Sequence, residues 1–307
     1  AVNAAFSFGG VSGTGDSVWD GGTTAEATAK GIDGGTGQDR IANDSLIETS
    51  ANSTTVSNND TVTVFGVAGA TSTTNSTANA TAIDGGDDVD VLTNSGELQA
   101  TSNATAAGVS VAVTAIGASV ATDSFWDGGT QANAASKGID GGTGDDQIAN
   151  TGLITADATS DTHSVSVSAT GAIVAAASAA STSTADATAI DGGDGSDTVN
   201  NDAALVSKAT SSAGGVSVSV ALSGGAVAGS PFDNATQANA TANGIEGGTG
   251  DDVVHNVESS SITLDSNAIT KDTAVSVGVI GFSGTKSGSK ATARGTGIDG
   301  GDGNDVL

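Results

Sequence analysis

Valine alternates with small residues five times along this chain. The runs are VTVFG from Val62, VSVAVTAIG from Val109, VSVSATG from Val165, VSVSVALSGG from Val216 and VSVGVIG from Val275. Period two with β-branched residues predicts extended strands. Each run ends at one or two glycines, and a second Ala/Val/Ser run follows, as in VSVSATGAIVAAASA. That order predicts a strand, a tight turn and a returning strand. The Ser/Thr/Ala/Asn tracts that come next prolong the returning strand, and their small side chains allow neighbouring layers to stack closely.

The alternation is part of an internal repeat. One segment recurs six times: IDGGTGQDRIAN from Ile32, IDGGDDVDVLTN from Ile83, IDGGTGDDQIAN from Ile139, IDGGDGSDTVNN from Ile190, IEGGTGDDVVHN from Ile245 and IDGGDGNDVL from Ile298. Successive isoleucines lie 51, 56, 51, 55 and 53 residues apart, a unit of about 53. An asparagine (Asn43, Asn94, Asn150, Asn201, Asn256) falls four residues after the last aspartate of the first five copies. From that asparagine to the first valine is 15 residues in three units and 19 in two, which reads as an insertion in a surface loop. Units alternate in two types, because SVWDGG, SFWDGG and SPFDNA, around Trp19, Trp126 and Phe232, precede only the first, third and fifth motifs. The expected fold is all-β: one elongated β-solenoid, parallel β-helix or β-roll-like, running continuously over 1–307. The first residue is Ala1 and the last motif stops at Leu307, so the expectation is a window of a longer array.

Charge changes the picture. The 307 residues carry 35 acids against 8 bases, a formal net charge of −27, with 46 glycines, no cysteine and mean hydropathy near zero. So acidic a surface repels nucleic acid, anionic membranes and copies of itself unless cations sit among the carboxylates. Low hydrophobicity with high net charge is also a signature of disorder; the recurring valine runs and the clustering of the acids argue against it here. No apolar run is long enough for a membrane-spanning helix.

Six eight-residue windows, each from a motif isoleucine to its last aspartate, hold 18 of the 35 acids. Like charges crowded into one turn call for a positive partner. Hard cations with six to eight oxygen ligands, calcium above all, suit carboxylates supplemented by backbone carbonyls that glycine leaves free to turn inward. The candidate ligand positions are Asp33, Gly35, Gly37 and Asp39; Asp84, Gly86, Asp88 and Asp90; Asp140, Gly142, Gly144 and Asp146; Asp191, Gly193, Gly195 and Asp197; Glu246, Gly248, Gly250 and Asp252; and Asp299, Gly301, Gly303 and Asp305. The aliphatic residue two further on, Ile41 in the first copy, should anchor each corner in a core. Stacked layers would place the motifs above one another, with the asparagines forming a ladder of side-chain amides beside them. The bland alternative is that Asp-Gly marks only a tight turn with solvated acids.

From Gly34 to Ile41 the chain resembles the calcium-binding nonapeptide G-G-x-G-x-D-x-U-x of the RTX family of secreted bacterial proteins, and equally from Gly141, Gly192, Gly247 and Gly300. The copy at Gly85 has Asp88 for the third glycine, and Glu246 replaces the preceding aspartate in the fifth. RTX nonapeptides run in tandem, whereas here one copy occurs per unit. The resemblance implies Ca2+ as the bound ion and folding conditional on leaving a calcium-poor cytoplasm.

Other chemistry is thin. His163 and His255 occupy different unit positions and have no cysteine partners, which disfavours a transition-metal site. Asp20 and Asp127 of the WDGG segments make a second cation site conceivable, but Phe232 in place of tryptophan, with the glycines lost, favours an aromatic plug. Sequons such as that at Asn75 are expected by chance in so Asn- and Thr-rich a chain. The expectation is a non-enzymatic structural module, extracellular or on the surface of a prokaryote, in an adhesin stalk, biofilm-matrix fibre or surface filament. Its partners would be further copies of itself, by head-to-tail or lateral assembly, or extracellular surfaces and polysaccharide. Two rivals stand beside it. One is an ice-binding solenoid with flat Thr-rich faces. The other is a calcium-dependent β-helical polysaccharide lyase or epimerase, for which Arg40 and Lys271 are the only hints.

Overall fold

The computed structural model describes residues 1–15, 22–122, 129–229, 236–257 and 260–307, and among them every regular element is a strand. In chain order these are β1 (Val2–Gly15), β2 (Thr23–Asp33), β3 (Arg40–Asn43), β4 (Ile47–Thr71), β5 (Thr74–Asp87), β6 (Val91–Asn94), β7 (Leu98–Thr122), β8 (Thr130–Thr143) and β9 (Gln147–Asn150). The rest are β10 (Ile154–Thr170), β11 (Ile173–Ser178), β12 (Ser181–Asp194), β13 (Thr198–Asn201), β14 (Leu205–Gly229), β15 (Thr236–Thr249), β16 (Val253–Asn256), β17 (Ile262–Lys286) and β18 (Ser289–Asp299). The chain winds repeatedly through a long, a middle and a short strand. Each strand pairs in parallel with its counterpart one circuit away, so the molecule has three parallel sheets. The long-strand sheet runs β1, β4, β7, then β10 with β11, β14 and β17; the middle sheet runs from β2 to β18; the short sheet from β3 to β16. This is a stacked β-solenoid. In the middle sheet each motif isoleucine sits opposite the next: Ile32 by Ile83, Ile83 by Ile139, and so on to Ile245 by Ile298.

Three columns of branched aliphatics meet where the three sheets converge. One holds the motif isoleucines, the second Ile41, Leu92, Ile148, Val199 and Val254 of the short strands, and the third Leu98, Ile154 and Leu205 at the start of the long strands. In the middle layers they are at most 1% exposed, and each such side chain contributes about 1.5–3 kcal/mol on burial. Beyond this corner the interior is made mainly of alanine, serine and threonine. Serines cross it to join the long and middle sheets: Ser53 donates to the Ala25 carbonyl, Ser76 to Ser53 Oγ at 2.7 Å, and Ser183 to Ser160 Oγ at 2.7 Å.

The alternating valine runs point outward. Ser217 and Ser219 are fully buried while Val216 is 37% exposed, and Ser166 and Ser168 are buried likewise. The outward positions align in three columns through the six layers. They read Val2, Asn58, Val109, Val165, Val216, Thr273; then Ala4, Asp60, Val111, Val167, Val218, Val275; then Phe6, Val62, Val113, Ala169, Val220, Val277.

Two expectations are corrected. The glycine that ends each run does reverse the chain, at Gly66, Gly117, Gly224 and Gly281 with φ from 114° to 145°. The two arms, however, do not pair as a hairpin. They face each other through side chains within one layer, Thr61 Oγ1 reaching the Gly69 carbonyl (2.8 Å) and Thr114 Oγ1 that of Ala118 (2.9 Å), while their backbones bond to the layers above and below. Each turn is therefore an arch. A Cβ at Gly117 would run into the carbonyl of Gly66 one layer away, which favours glycine in this column, where Ile173 is the exception.

The second correction concerns the 19-residue steps. Asn58 lies opposite Val109 and Val62 opposite Val113, so β4 has no insertion; Asn58 and Asp60 simply occupy outward positions that hold valine next door. In the last unit the register offset rises from 55 at Asn201–Asn256 to 57 at Leu205–Ile262, so two extra residues precede β17, and Thr273 fills the first valine position. The larger length difference lies elsewhere. Thr71 pairs with Thr122, 51 apart, but Thr74 with Thr130, 56 apart, which puts five additional residues between β7 and β8. The Trp126 segment falls there. It, the Trp19 segment and the Phe232 segment lie outside the described residues, and with them Asp20 and Asp127.

Candidate functional site: the stacked Gly/Asp corners

The first five motifs form the turn from a middle strand into a short strand, and the fixed residues have separate conformational jobs. The second glycine adopts positive φ in all six copies, from 88° at Gly35 to 110° at Gly248. The third does so as well, from 104° at Gly37 to 152° at Gly303. Asp88, in the copy without that glycine, keeps the turn at φ 74°; aspartate tolerates this region better than most residues. At the first glycine the obstacle is steric. A Cβ on Gly85 would strike the carbonyl oxygen of Gly141 and stand 2.8 Å from Asp90 Oδ2.

The acids sort into distinct columns. The inner column consists of the last aspartate of each motif. Asp39 N–H donates to Asp90 Oδ1 (2.7 Å), Asp90 N–H to Asp146 Oδ1 (2.7 Å), Asp146 N–H to Asp197 Oδ1 (2.8 Å), Asp197 N–H to Asp252 Oδ1 (2.7 Å) and Asp252 N–H to Asp305 Oδ1 (3.0 Å). Each Oδ1 thus caps an amide of the preceding layer where the turn interrupts the sheet. The other oxygen has no such partner: Oδ2 of Asp39, Asp90, Asp146, Asp197 and Asp252 is buried and unbonded. Asp90, Asp146, Asp197 and Asp252 are at most 1% exposed. Burial, reinforced by the neighbouring carboxylates, raises the Asp90 and Asp252 carboxyls above their usual range, pushes Asp146 up to about 6 and pushes Asp197 up to about 7.

The outer column, Asp33, Asp84, Asp140, Asp191, Glu246 and Asp299, already has partners in four layers. Lys30 Nζ lies 3.0 Å from Asp33 and 2.7 Å from Asp84; Lys137 Nζ lies 2.7 Å from both Asp140 and Asp191. The hydrogen bond that Lys30 donates to Asp84 holds its ammonium above its usual range. Burial opposes the Lys137 charge, but Asp191 and Asp140 more than compensate. The residues stacked at this position are Lys30, Thr81, Lys137, Thr188, Asn243 and Thr296. A lysine in one layer therefore serves the acids of two, which gives the two-unit alternation a chemical sense. In the fifth unit Asn243 takes the lysine's place and donates to Glu246 Oε1 at 2.7 Å.

The remaining motif acids lie on the rim. Thr143 and Thr249 donate to Asp87 and Asp194, Ser196 N–H to Asp145, and Asn304 N–H to Asp251. Together with the two lysines, Asp33, Asp84, Asp140 and Asp191 of the outer column line a shallow groove across the layers. The candidate ligands of one motif are thus divided between columns. Among the described residues no group of three or more His, Asp or Glu side chains converges in a way that could hold a metal ion. A cation at the inner column would take single Oδ2 atoms from successive layers, supplemented by backbone oxygens.

Beside the aspartates runs the asparagine ladder. Asn43, Asn94, Asn150 and Asn201 each donate to the amide oxygen of the next, at 2.7–2.8 Å, and to a carbonyl two residues ahead in their own turn. Arg40 and Lys271 belong to different sheets, and His163 and His255 likewise. Sequence reasoning missed the lysine bridges; Lys30 and Lys137 each stand three residues before a motif aspartate, and that spacing was the available signal.

No protein-family model, curated protein or solved structure matches the chain. Among the described residues no helix is long and apolar enough to cross a membrane.

Proposed function

We propose that the chain is a calcium-stabilised, non-enzymatic structural module of an extracellular fibre: a surface filament, an adhesin stalk or a biofilm-matrix component of a prokaryote. The carrying observation is the inner column, five buried carboxylate oxygens in register with no hydrogen-bond donor. A buried anion without a partner is expensive, and a run of them one layer apart, about 4.8 Å, is more so. Calcium beside the column supplies the charge, and the resemblance of the corners to RTX nonapeptides points to the same ion. Six units of about 53 residues would each add one such corner. A structural role is favoured because the groove residues recur layer by layer instead of converging once.

Far-UV circular dichroism tests this. With millimolar calcium the β spectrum should be full; with excess chelator it should weaken or melt at lower temperature, and magnesium should restore it poorly. A spectrum and melting curve that ignore both chelator and calcium would leave the aspartates as amide caps alone.

A further inference from the structure

We infer that the outward valine face of the long-strand sheet is a docking surface for a second copy of this chain, the two sheets packing face to face.

The face is apolar in a molecule that is not. Of the 18 outward positions in its three aligned columns, 15 are Ala, Val or Phe, and Asp60 is the one charged residue. A fourth column follows at the arch edge, where Phe8, Leu222 and Val279 are 57–73% exposed. Four alternate positions along a strand and six layers across measure about 27 Å by 29 Å, roughly 800 Å². Soluble monomers rarely display apolar patches beyond a few hundred Å², whereas a standard interface takes about 800 Å² from each partner.

Charge selects the partner. With a formal net charge of −27 the molecule repels anionic surfaces and its own copies. The exception is this face, which begins 11 residues along the long strand from Leu98, at Val109, roughly 35 Å beyond the acidic corners. A second copy brings the same ridges at the same two-residue and one-layer spacings, so its rows of valine fit the grooves between these. Aligned sheet packing of this kind is the way β-sandwich cores are built. The interior beneath does not compete for the valines, since its long-strand side is filled by serine, threonine and alanine. This pairing does not rest on calcium binding.

Sedimentation velocity on the full chain at about 1–100 µM and moderate salt tests it, with circular dichroism on the same samples to report folding. The wild type should form a dimer. Val111→Lys with Val167→Lys should raise the dissociation constant at least about 100-fold with an unchanged β spectrum. Val111→Thr with Val167→Thr, which keeps strand-favouring side chains, should raise it about tenfold, and Asp60→Val should lower it. A wild type that stays monomeric through that range overturns the proposal. So does a dimer that survives both double substitutions, or a monomer that instead floats with neutral phosphatidylcholine vesicles and loses that property with the lysines.

Discussion

The two ends of each layer solve the burial problem in opposite ways. At the corner end, where three sheets meet, isoleucine and leucine point inward and the polar groups among them form ladders from layer to layer. At the arch end the two arms of the long strand enclose serine, threonine and alanine, and the valines face out. The comparison teaches that alternation sets two faces and not their polarity. Stability concentrates in the aliphatic columns at the corner, and the arch end is left with apolar surface to offer.

That contrast is sharpest for deletions of side chain. Ile139→Ala, in a fully buried column position, should cost about 3 kcal/mol, within the 2–5 of large-to-small core changes. Val167→Ala on the outer face, measured by urea unfolding of the same protein at monomeric concentration, should cost under about 1 kcal/mol. Equal costs would mean that the valine face is already covered within the folded chain.

Breaking the asparagine ladder comes next. Asn150→Ala removes donors to Asn201 and Gly152 and strips Asn94 of its acceptor, with an expected loss of about 2 kcal/mol. Asn52→Ala is the control: Asn52 and Asn103 also bond to each other across layers, but in solvent, and the expected change is within about 0.5 kcal/mol.

At the arch end the most informative substitution should stabilise. In the fourth long strand the column of turn glycines is interrupted by Ile173, a β-branched residue at φ 91°. Ile173→Gly should add about 1 kcal/mol by relieving that conformation. A loss of stability would mean that the side chain packs favourably enough to outweigh the strain.

Much of this architecture was legible in the residues. The isoleucine spacing marked the circuit, the recurring asparagines lined up as a ladder, and the aliphatic residue after each motif is buried at Leu92, Ile148 and Val199. Other features were not. An arch and a hairpin share the same strand–glycine–strand pattern, and only the destination of the backbone hydrogen bonds separates them. The apparent insertion in β4 was a pair of substitutions at Asn58 and Asp60, while the last unit combines two extra residues with Thr273 at the first valine position, because counting to the first valine measures composition where pairing measures register. Within the site, spacing brought the acids of one motif together on paper. The turn sends them in different directions, so Asp140 meets Lys137 while Asp146 caps an amide inside. The capping role follows from a sheet interrupted at every corner, which no single unit reveals.

Acidity offers a test of the proposed inner-column ion. In the fold Asp146 titrates near 6 and Asp197 near 7, against 3.8 for an ordinary aspartate. Between these limits the native state binds more protons at these two groups than the unfolded chain, so their contribution to the stability of the cation-free protein is full below about pH 4 and is lost as pH rises through 6 and 7. The proposed cation beside Oδ2 would replace those protons. The decisive measurement is thermal unfolding at pH 5 and pH 8, each with chelator and with millimolar calcium. The account predicts that the chelated protein melts at least about 5 °C lower at pH 8 than at pH 5, that calcium closes this gap, and that Asp197→Asn shrinks both effects. A melting temperature at pH 8 that calcium does not move would contradict it.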